Sequence, residues 1–175
     1  MNVTSPSDGM LDHVKQLLVN QFEAALCMLH DCVEKCPPVQ WDGIVAKYPF
    51  WQVAYHTLCF VDLYLSPGET SFAPRADFHP AGLREFDDEH PSRRFTQREL
   101  LDYLAVCRQK ARETITAETA ESLQGPSGFP GRPATRGELH VYNIRHLMHH
   151  AGQLGAFLRR ADPSLNPRWI GSGWR

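Results

Sequence analysis

The sequence predicts an all-α fold, a four-helix bundle. Apolar residues recur at helical spacing in four segments, and Pro and Gly residues separate these segments. No segment shows the alternation of apolar and polar residues that is typical of a β-strand. We expect residues 1–175 to form a single domain, because a chain of this length can bury its own core.

Prolines delimit the first two predicted helices. The first runs from about Met10 to Cys36 and stops at Pro37-Pro38. The second begins near Pro49, a residue type that suits the first turn of a helix, and ends at Ser66-Pro67-Gly68. The apolar side of this second helix comprises Val53, Leu58, Val61 and Leu65.

Capping boxes mark the start of the third and fourth helices. In a capping box a Thr and the Glu three residues later bond to each other's backbone N–H groups. The third helix is predicted to continue to about Leu123, where the Gly- and Pro-rich segment 125–131 follows, and the fourth to about Ala161. The two pairs are Thr96 with Glu99 and Thr135 with Glu138.

A long irregular stretch from Pro67 to Phe95 separates the second and third helices. Antiparallel neighbours in a bundle need only a short loop. We therefore expect a crossover that lets the third helix run parallel to the second, which gives an up-down-down-up arrangement.

Charge and composition argue against several function classes. Lys and Arg total 18 against 20 Asp and Glu, so the formal net charge is -2 and we expect neither nucleic acid nor a membrane as partner. The polar segment Met1–Gly9 does not resemble a signal peptide. Five cysteines without a CxxC pair suggest thiols in a reducing compartment, and we expect a cytoplasmic protein.

Four of the nine histidines lie in the predicted fourth helix. His146 and His150 are four residues apart and lie on one helical face, so both can reach one ion, and His146 with His149 could do the same. His150 flanks the predicted core face, whereas His149 lies nearer the opposite face and is expected to be a solvent-side or outer residue. The predicted core face comprises Ile144, Leu147, Met148, Ala151, Leu154 and Leu158.

A third ligand is needed, because two histidines alone make a weak site. The zincin pattern HExxH is absent, since Leu147 follows His146. His56, in the aromatic-rich segment 49–60 of the second helix, would complete three imidazoles on facing helices. The alternative is that His56 only fills a position at the edge of the core.

Together these features resemble the DinB-like superfamily. The resemblance rests on the four helices, the long crossover, the aromatic segment before His56, and the pattern from His146 to His150 followed by Gly-Gln153-Leu. It implies an up-down-down-up bundle, metal ligation by His56, His146 and His150, zinc or nickel as the ion, and a homodimer. The sequence departs from the family pattern at Ala151, where a basic residue is usual.

This resemblance implies two chemistries, because an ion held by three imidazoles keeps an open position. It can activate water, as in a hydrolase, or a low-molecular-weight thiol, as in a thiol transferase. The small-molecule substrate is not specified by any motif.

No general base stands out, and the catalytic residues stay unknown. Asp62 lies six residues after His56 and is expected to point away from it, while Glu89 and His90 lie in the crossover. Arg145 and Gln153 can shape the pocket or support the ligands, or can be solvated surface residues.

The alternative hypothesis is a non-catalytic bundle that binds metal for stability or acts as a dimeric interaction module. A closed four-ligand sphere, completed for example by His149, would favour that role. The tail from Asn166, which carries Trp169 and Trp174, is expected to pack back on the bundle or on a second subunit.

Overall fold

Five α-helices and one small hairpin form the regular structure of the computed structural model, which describes residues 6–87 and 91–171 (side chains from residue 9). The hairpin pairs β1 (Ile44–Val45) antiparallel with β2 (Tyr48–Pro49). Short 3₁₀ helices lie at Pro38–Gln40, Glu69–Ser71 and Gly82–Phe86. The helices are α1 (Pro6–Lys35), α2 (Phe50–Tyr64), α3 (Gln97–Ala117), α4 (Ala120–Gln124) and α5 (Arg136–Ala161). The fold is mostly helical, as predicted.

The four long helices share one hydrophobic core. Both α1 and α2 pack against α3 and α5. Most residues of α1 between Phe22 and Val33 are buried, so this helix is enclosed by its neighbours over three turns. The apolar faces predicted for α2 and α5 point into this core. None of the helices in the described part of the chain has the length and apolar character that crossing a membrane requires.

Both predicted capping boxes are present. The Glu99 carboxylate accepts a hydrogen bond of 2.8 Å from the Thr96 backbone N–H, and the Thr96 hydroxyl oxygen accepts one from the Glu99 N–H at 3.3 Å. Thr135 and Glu138 exchange the same two bonds at the start of α5. The starts of these two helices therefore follow from local sequence.

The predicted extension of the third helix to Leu123 is wrong. The helix ends at Ala117, because Glu118 takes an extended conformation (φ -61°, ψ 146°). Its carboxylate is drawn into a buried ion pair with Arg136. Thr119 then caps the separate short helix α4 in a further capping box with Ser122.

The hairpin was not predicted from the sequence. Each strand has two residues, too few to show an alternating pattern. Its turn residue Ala46 has a positive φ of 60°, a conformation that non-glycine residues rarely adopt. The hairpin packs against α2 and α5 and so becomes part of the surroundings of the histidines.

The described part of the tail packs back on the helices. This was one of the two arrangements predicted for it; the other was packing on a second subunit. The Arg168 backbone N–H donates to the buried Asp31 carboxylate at 2.8 Å, and the Lys35 ammonium donates to the Asn166 carbonyl at 3.0 Å. The Trp169 side chain does not join the core and is 76% exposed. Trp174 lies outside the described residues.

Gly128 makes a close approach between the loop before α5 and the segment after α2. It has a φ of +77°, and its carbonyl accepts a hydrogen bond of 3.0 Å from the Glu69 N–H. A Cβ at this position would lie 2.6 Å from the Pro67 carbonyl oxygen. Only glycine fits both the backbone conformation and the space.

We predict that Gly128→Ala lowers the free energy of unfolding by about 2–4 kcal/mol, because the collision adds to the cost of a left-handed backbone. Gly131→Ala is the matched control, since Gly131 also has a left-handed φ, +72°, but no atom within 4 Å of its Cβ position. It should cost only about 1 kcal/mol. Urea unfolding of both variants gives the comparison, and equal losses would contradict the steric argument.

Candidate functional site

Arg136 ties the first turn of α5 to the end of α2. Its guanidinium donates hydrogen bonds to the carbonyls of residues 64, 65 and 66, at 3.0, 3.0 and 2.6 Å. Carbonyls at the end of a helix have no partner within the helix, so this buried cation satisfies three of them at once. The charge is balanced by Glu118, whose carboxylate lies 2.9 Å from the Arg136 Nε.

A second polar contact fixes the same two helices further along. The Asn143 side-chain amide donates to the Val61 carbonyl at 3.2 Å, and both residues are fully buried. With these two contacts set, His56 on α2 lies opposite His146 and His150 on α5.

The structure brings the three predicted histidines together. One ring nitrogen of each lies within 4.8 Å of the other two. The ring centroids are 5.4 Å apart for His56 and His146, 5.0 Å for His56 and His150, and 4.6 Å for His146 and His150. These three residues can hold one divalent metal ion.

Gln153 determines which nitrogen of His150 is available. Its amide oxygen lies 2.9 Å from the His150 Nδ1 and can only accept, so Nδ1 carries the proton and Nε2 presents a lone pair. The amide nitrogen of Gln153 lies 3.1 Å from the Nε2 of the exposed His149, which is consistent with this orientation. Gln153 thus supports the candidate ligand His150 directly, and His149 supports Gln153 in turn. The sequence left both of these roles open.

Burial keeps the imidazoles of His146 and His150 unprotonated. It lowers the pKa of His146 to about 3, helped by the neighbouring His150 and His56. Burial also lowers the pKa of His150 to about 4, against the opposing effect of its bond to Gln153. On one side His146 packs against the rings of Phe60 and Tyr64. Neutral imidazole is the form that binds metal.

The donor set fits a metal ion. The Nε2 atoms of His146 and His150 are 3.1 Å apart. Two imidazole nitrogens at tetrahedral positions, each about 2.0–2.1 Å from one ion, are about 3.3 Å apart. At metal sites the second ring nitrogen of a ligating His usually forms a hydrogen bond with a neighbouring group. His150 has such a bond, to Gln153, whereas the buried Nδ1 of His146 has no hydrogen-bond partner in the described structure.

A pocket of about 230 Å³ opens beside the triad. The hairpin residues 45–48 and, from α2, Gln52 and Val53 line it. His56, His150 and Gln153 line it as well. Two of the three predicted ligands, His56 and His150, therefore border a space that a small molecule can enter.

The remaining predicted residues lie elsewhere. Asp62 is buried on the α3 side of α2, where its carboxylate accepts from the Tyr103 hydroxyl at 3.0 Å and the Lys110 ammonium at 2.6 Å. Arg145 lines a separate groove with Tyr142. Glu89 and His90 fall outside the described residues.

The hairpin residues and Gln52 were not predicted from the sequence to line a functional pocket. Gln52 lies four residues before His56 and so shares its helical face, which is a signal that could have identified it. Residues 45–48 reach the pocket only through the hairpin, and no pattern in the sequence predicts that placement.

A larger cavity of about 760 Å³ lies far from this chemistry, between the end of α2 and the α3–α4 junction. Three of its charged lining groups, Arg136, Glu118 and Lys110, are engaged within the protein. Arg136 bonds to Glu118 and to the α2 carbonyls, and Lys110 bonds to Asp62 and Ser66. These groups therefore stabilise the fold.

We predict that the metal-free protein loses stability in acid partly through His146. Its folded pKa of about 3 lies below its unfolded value of about 6.5, so its contribution is complete above that value and is lost as the pH falls towards the folded pKa. The slope is up to about 1.4 kcal/mol per pH unit. Urea unfolding in EDTA from pH 7.5 to 4.5 should show a shallower loss for His146→Gln. His149→Gln is the control and should keep the wild-type slope, whereas identical slopes for all three proteins would contradict this explanation.

Comparison with known proteins gives a family but no individual relative. A family model of the DinB superfamily matches residues 21–154, about three quarters of the chain, including all three histidines. No curated protein and no solved structure matches the chain significantly. From its helical fold, its histidine triad and this match, the chain belongs to the DinB superfamily.

Proposed function

We propose that this protein is a metal-dependent enzyme that binds one divalent ion, zinc or nickel, through His56, His146 and His150. The observation that carries the proposal is the convergence of three ring nitrogens within 4.8 Å of one another, beside a pocket that His56 and His150 line. When bound, such an ion supplies Lewis-acid chemistry that activates water or a small thiol as a nucleophile. The reaction class is therefore hydrolysis or thiol transfer on a small-molecule substrate.

The residues of the chain contribute orientation and exclusion of water. Gln153 holds the proton of His150 on Nδ1 and so directs the Nε2 lone pair towards the other two imidazoles. Phe60 packs 4.7 Å from the His56 ring and 5.5 Å from the His146 ring, measured between centroids, and shields the site on that side. A substrate would therefore enter from the side of the hairpin.

The main alternative is a metal site that serves only stability. Structural zinc sites are usually closed by four protein ligands. Among the described residues, the cluster contains the three histidines and no fourth His, Cys, Asp or Glu. The open pocket favours the enzyme over the structural role.

We further propose that residues 1–175 form one four-helix-bundle domain of up-down-down-up topology. The order of contacts supports parallel α2 and α3, because Cys107 bonds to the Leu58 carbonyl and Thr114 to the Leu65 carbonyl. The contacts of α1 with α5 also support a parallel arrangement. Phe22 contacts the ring of His140, and further along both helices the Cys32 thiol bonds to the Ala151 carbonyl.

Cytoplasmic location and a homodimer belong to the same proposal. The five cysteines are all buried free thiols, which suits a reducing compartment. Met10 and Leu17 are exposed apolar residues one heptad apart on α1, a suitable patch for a second subunit.

We predict close to one equivalent of zinc or nickel in protein purified without a nickel column or reloaded with these metals. Alanine at His56, His146 or His150 should reduce the content below about one tenth of an equivalent, because two imidazoles bind weakly. Elemental analysis gives the stoichiometry. His149→Ala is the matched control, since His149 adjoins the triad but is exposed, and it should retain the metal. Wild-type protein that takes up no metal would overturn the proposal.

We predict that Gln153→Ala weakens zinc binding about 10- to 100-fold without abolishing it, because His150 loses the acceptor that fixes its tautomer. Competition with a chromogenic chelator measures the affinity. Gln52→Ala is the control, because Gln52 lines the same pocket but is not the partner of the His150 ring nitrogens, which lie against Gln153 and His146. Equal affinities for wild type and Gln153→Ala would refute this role for Gln153.

A further inference from the structure

Residues 72–86, part of the crossover, cover the aromatic side of the histidine triad. The rings of Phe72, His79 and Phe86 lie together, with centroids between 5.2 and 5.5 Å apart. Phe86 packs edge-on against Phe60 of α2, at 5.7 Å between centroids. Phe60 is the ring that contacts two histidines of the triad. Movement of segment 72–86 would therefore uncover Phe60 and the side of the triad behind it.

Side chains attach this segment to the helices. Its backbone hydrogen bonds within the described residues are local, as in the turn where the Phe78 and His79 N–H groups donate to the Arg75 carbonyl. The Tyr55 hydroxyl of α2 donates to the Phe78 carbonyl at 2.7 Å, and the His79 ring bonds to Tyr103 of α3. A segment held in this way can open while the helices stay folded.

His79 is the buried polar residue of this attachment, with a side chain in contact with α3 and only 2% of the residue exposed. Its Nδ1 accepts a hydrogen bond of 3.0 Å from the Arg75 backbone N–H. The proton is therefore on Nε2, which donates to the Tyr103 hydroxyl oxygen at 2.8 Å. That hydroxyl donates in turn to the Asp62 carboxylate at 3.0 Å. Each donor in this chain meets an acceptor only while the imidazole is neutral.

A second proton on this imidazole would have no acceptor. It would sit on Nδ1 and face the Arg75 N–H, because a protonated ring carries N–H groups on both nitrogens. Burial lowers the pKa of His79 against the opposing effect of the Asp62 and Glu85 carboxylates, and the Lys110 ammonium lowers it further. The folded segment therefore disfavours the charged ring.

The charged groups around His79 are already paired. Asp62, on α2, accepts a hydrogen bond of 2.6 Å from the Lys110 ammonium of α3. Glu85, within the segment, accepts from the backbone N–H groups of Ala81 and Ser92, both at 3.0 Å. Both carboxylates thus have partners, whereas the Nδ1 of the imidazole faces a donor.

We propose that residues 72–86 form an acid-sensitive lid over the aromatic side of the triad, latched by the hydrogen bonds from His79 through Tyr103 to Asp62. In the open form the imidazole has its ordinary pKa of about 6.5, whereas burial lowers that pKa in the closed form. The latch therefore contributes fully above about pH 6.5 and is lost as the pH falls towards the closed value. The inference goes beyond the proposed function, because no metal ligand takes part in the latch.

Hydrogen exchange of the metal-free protein in EDTA, followed by mass spectrometry at pH 7.5 and 5.5, tests the latch. After correction for the intrinsic pH dependence of exchange, opening of segment 72–86 should increase about 5- to 10-fold in acid. About 10-fold is the limit set by one imidazole with an open-form pKa of about 6.5. His79→Gln keeps a donor and an acceptor but cannot take up a proton, so it should lose this response. An equal response in wild type and His79→Gln would overturn the inference.

Two controls separate the latch from other acid effects. Residues 22–33 of α1 are the internal reference, and their exchange should respond equally in wild type and His79→Gln. Tyr55→Phe removes the other side-chain bond to the segment and leaves His79 in place. It should increase opening by a similar factor at both pH values and keep the acid response. Loss of that response in Tyr55→Phe would count against His79 as the acid-sensitive group.

The cover over the triad is tested with zinc-loaded protein at pH 7.5. Tyr103→Phe breaks the latch without acid and should speed the transfer of zinc to a chelator about 3- to 10-fold, the factor expected for one lost hydrogen bond. Thr114→Val is the control, since it removes an α3 hydroxyl that bonds to the Leu65 carbonyl of the bundle. Equal rates in wild type and Tyr103→Phe would overturn the covering role. Failure of wild-type protein to take up zinc would overturn the proposed function, while hydrogen exchange would still decide the latch.

Discussion

The buried ion pair of Arg136 and Glu118 is the interaction on which the arrangement of the helices depends. Both side chains are only 7% exposed, and the pair joins the end of α2, the break between α3 and α4, and the start of α5. The Glu118 carboxylate also lies 2.8 Å from the Nε2 of the buried His140. Removal of one partner would leave a buried charge uncompensated, which typically costs about 3–5 kcal/mol.

The histidine site depends on how α5 is aligned along α2. Because Arg136 and Asn143 hold α5 against the carbonyls of α2, the later residues of α5 meet the earlier residues of α2, and the three imidazoles converge. Enclosure by the helices and by the rings of Phe60 and Tyr64 lowers the proton affinity of His146 and His150. The packing that stabilises the fold therefore also prepares neutral metal ligands.

Two polar systems occupy opposite faces of α2. His56 faces α5, whereas Asp62 faces α3 and accepts hydrogen bonds from Tyr103 and Lys110. The Tyr103 hydroxyl also lies 2.8 Å from the Nε2 of His79, a residue of the crossover. The Arg75 N–H donates to the Nδ1 of that ring, so Nε2 carries the proton and donates to Tyr103. This second network fixes the crossover and is separate from the histidine pocket.

The sequence by itself determined the helical class, the starts of α3 and α5, and the three histidines. The helical class, the two helix starts and the pair His146 and His150 follow from local rules: helical periodicity, a Thr and Glu three residues apart, and ligand spacing of one helical turn. His56 was a candidate from its place on the second helix, and the family resemblance named it as the third ligand. Only the tertiary structure decided the end of α3 at Ala117, because the Glu118 carboxylate pairs with a residue 18 positions away. It also decided the pocket wall, since a hairpin of two-residue strands has no periodic signal and acquires its role by packing on α2 and α5. Helix caps and helical periodicity depend on residues close together in the sequence, so the sequence shows them directly. Ion pairs and packing between distant segments depend on the fold, so the sequence does not.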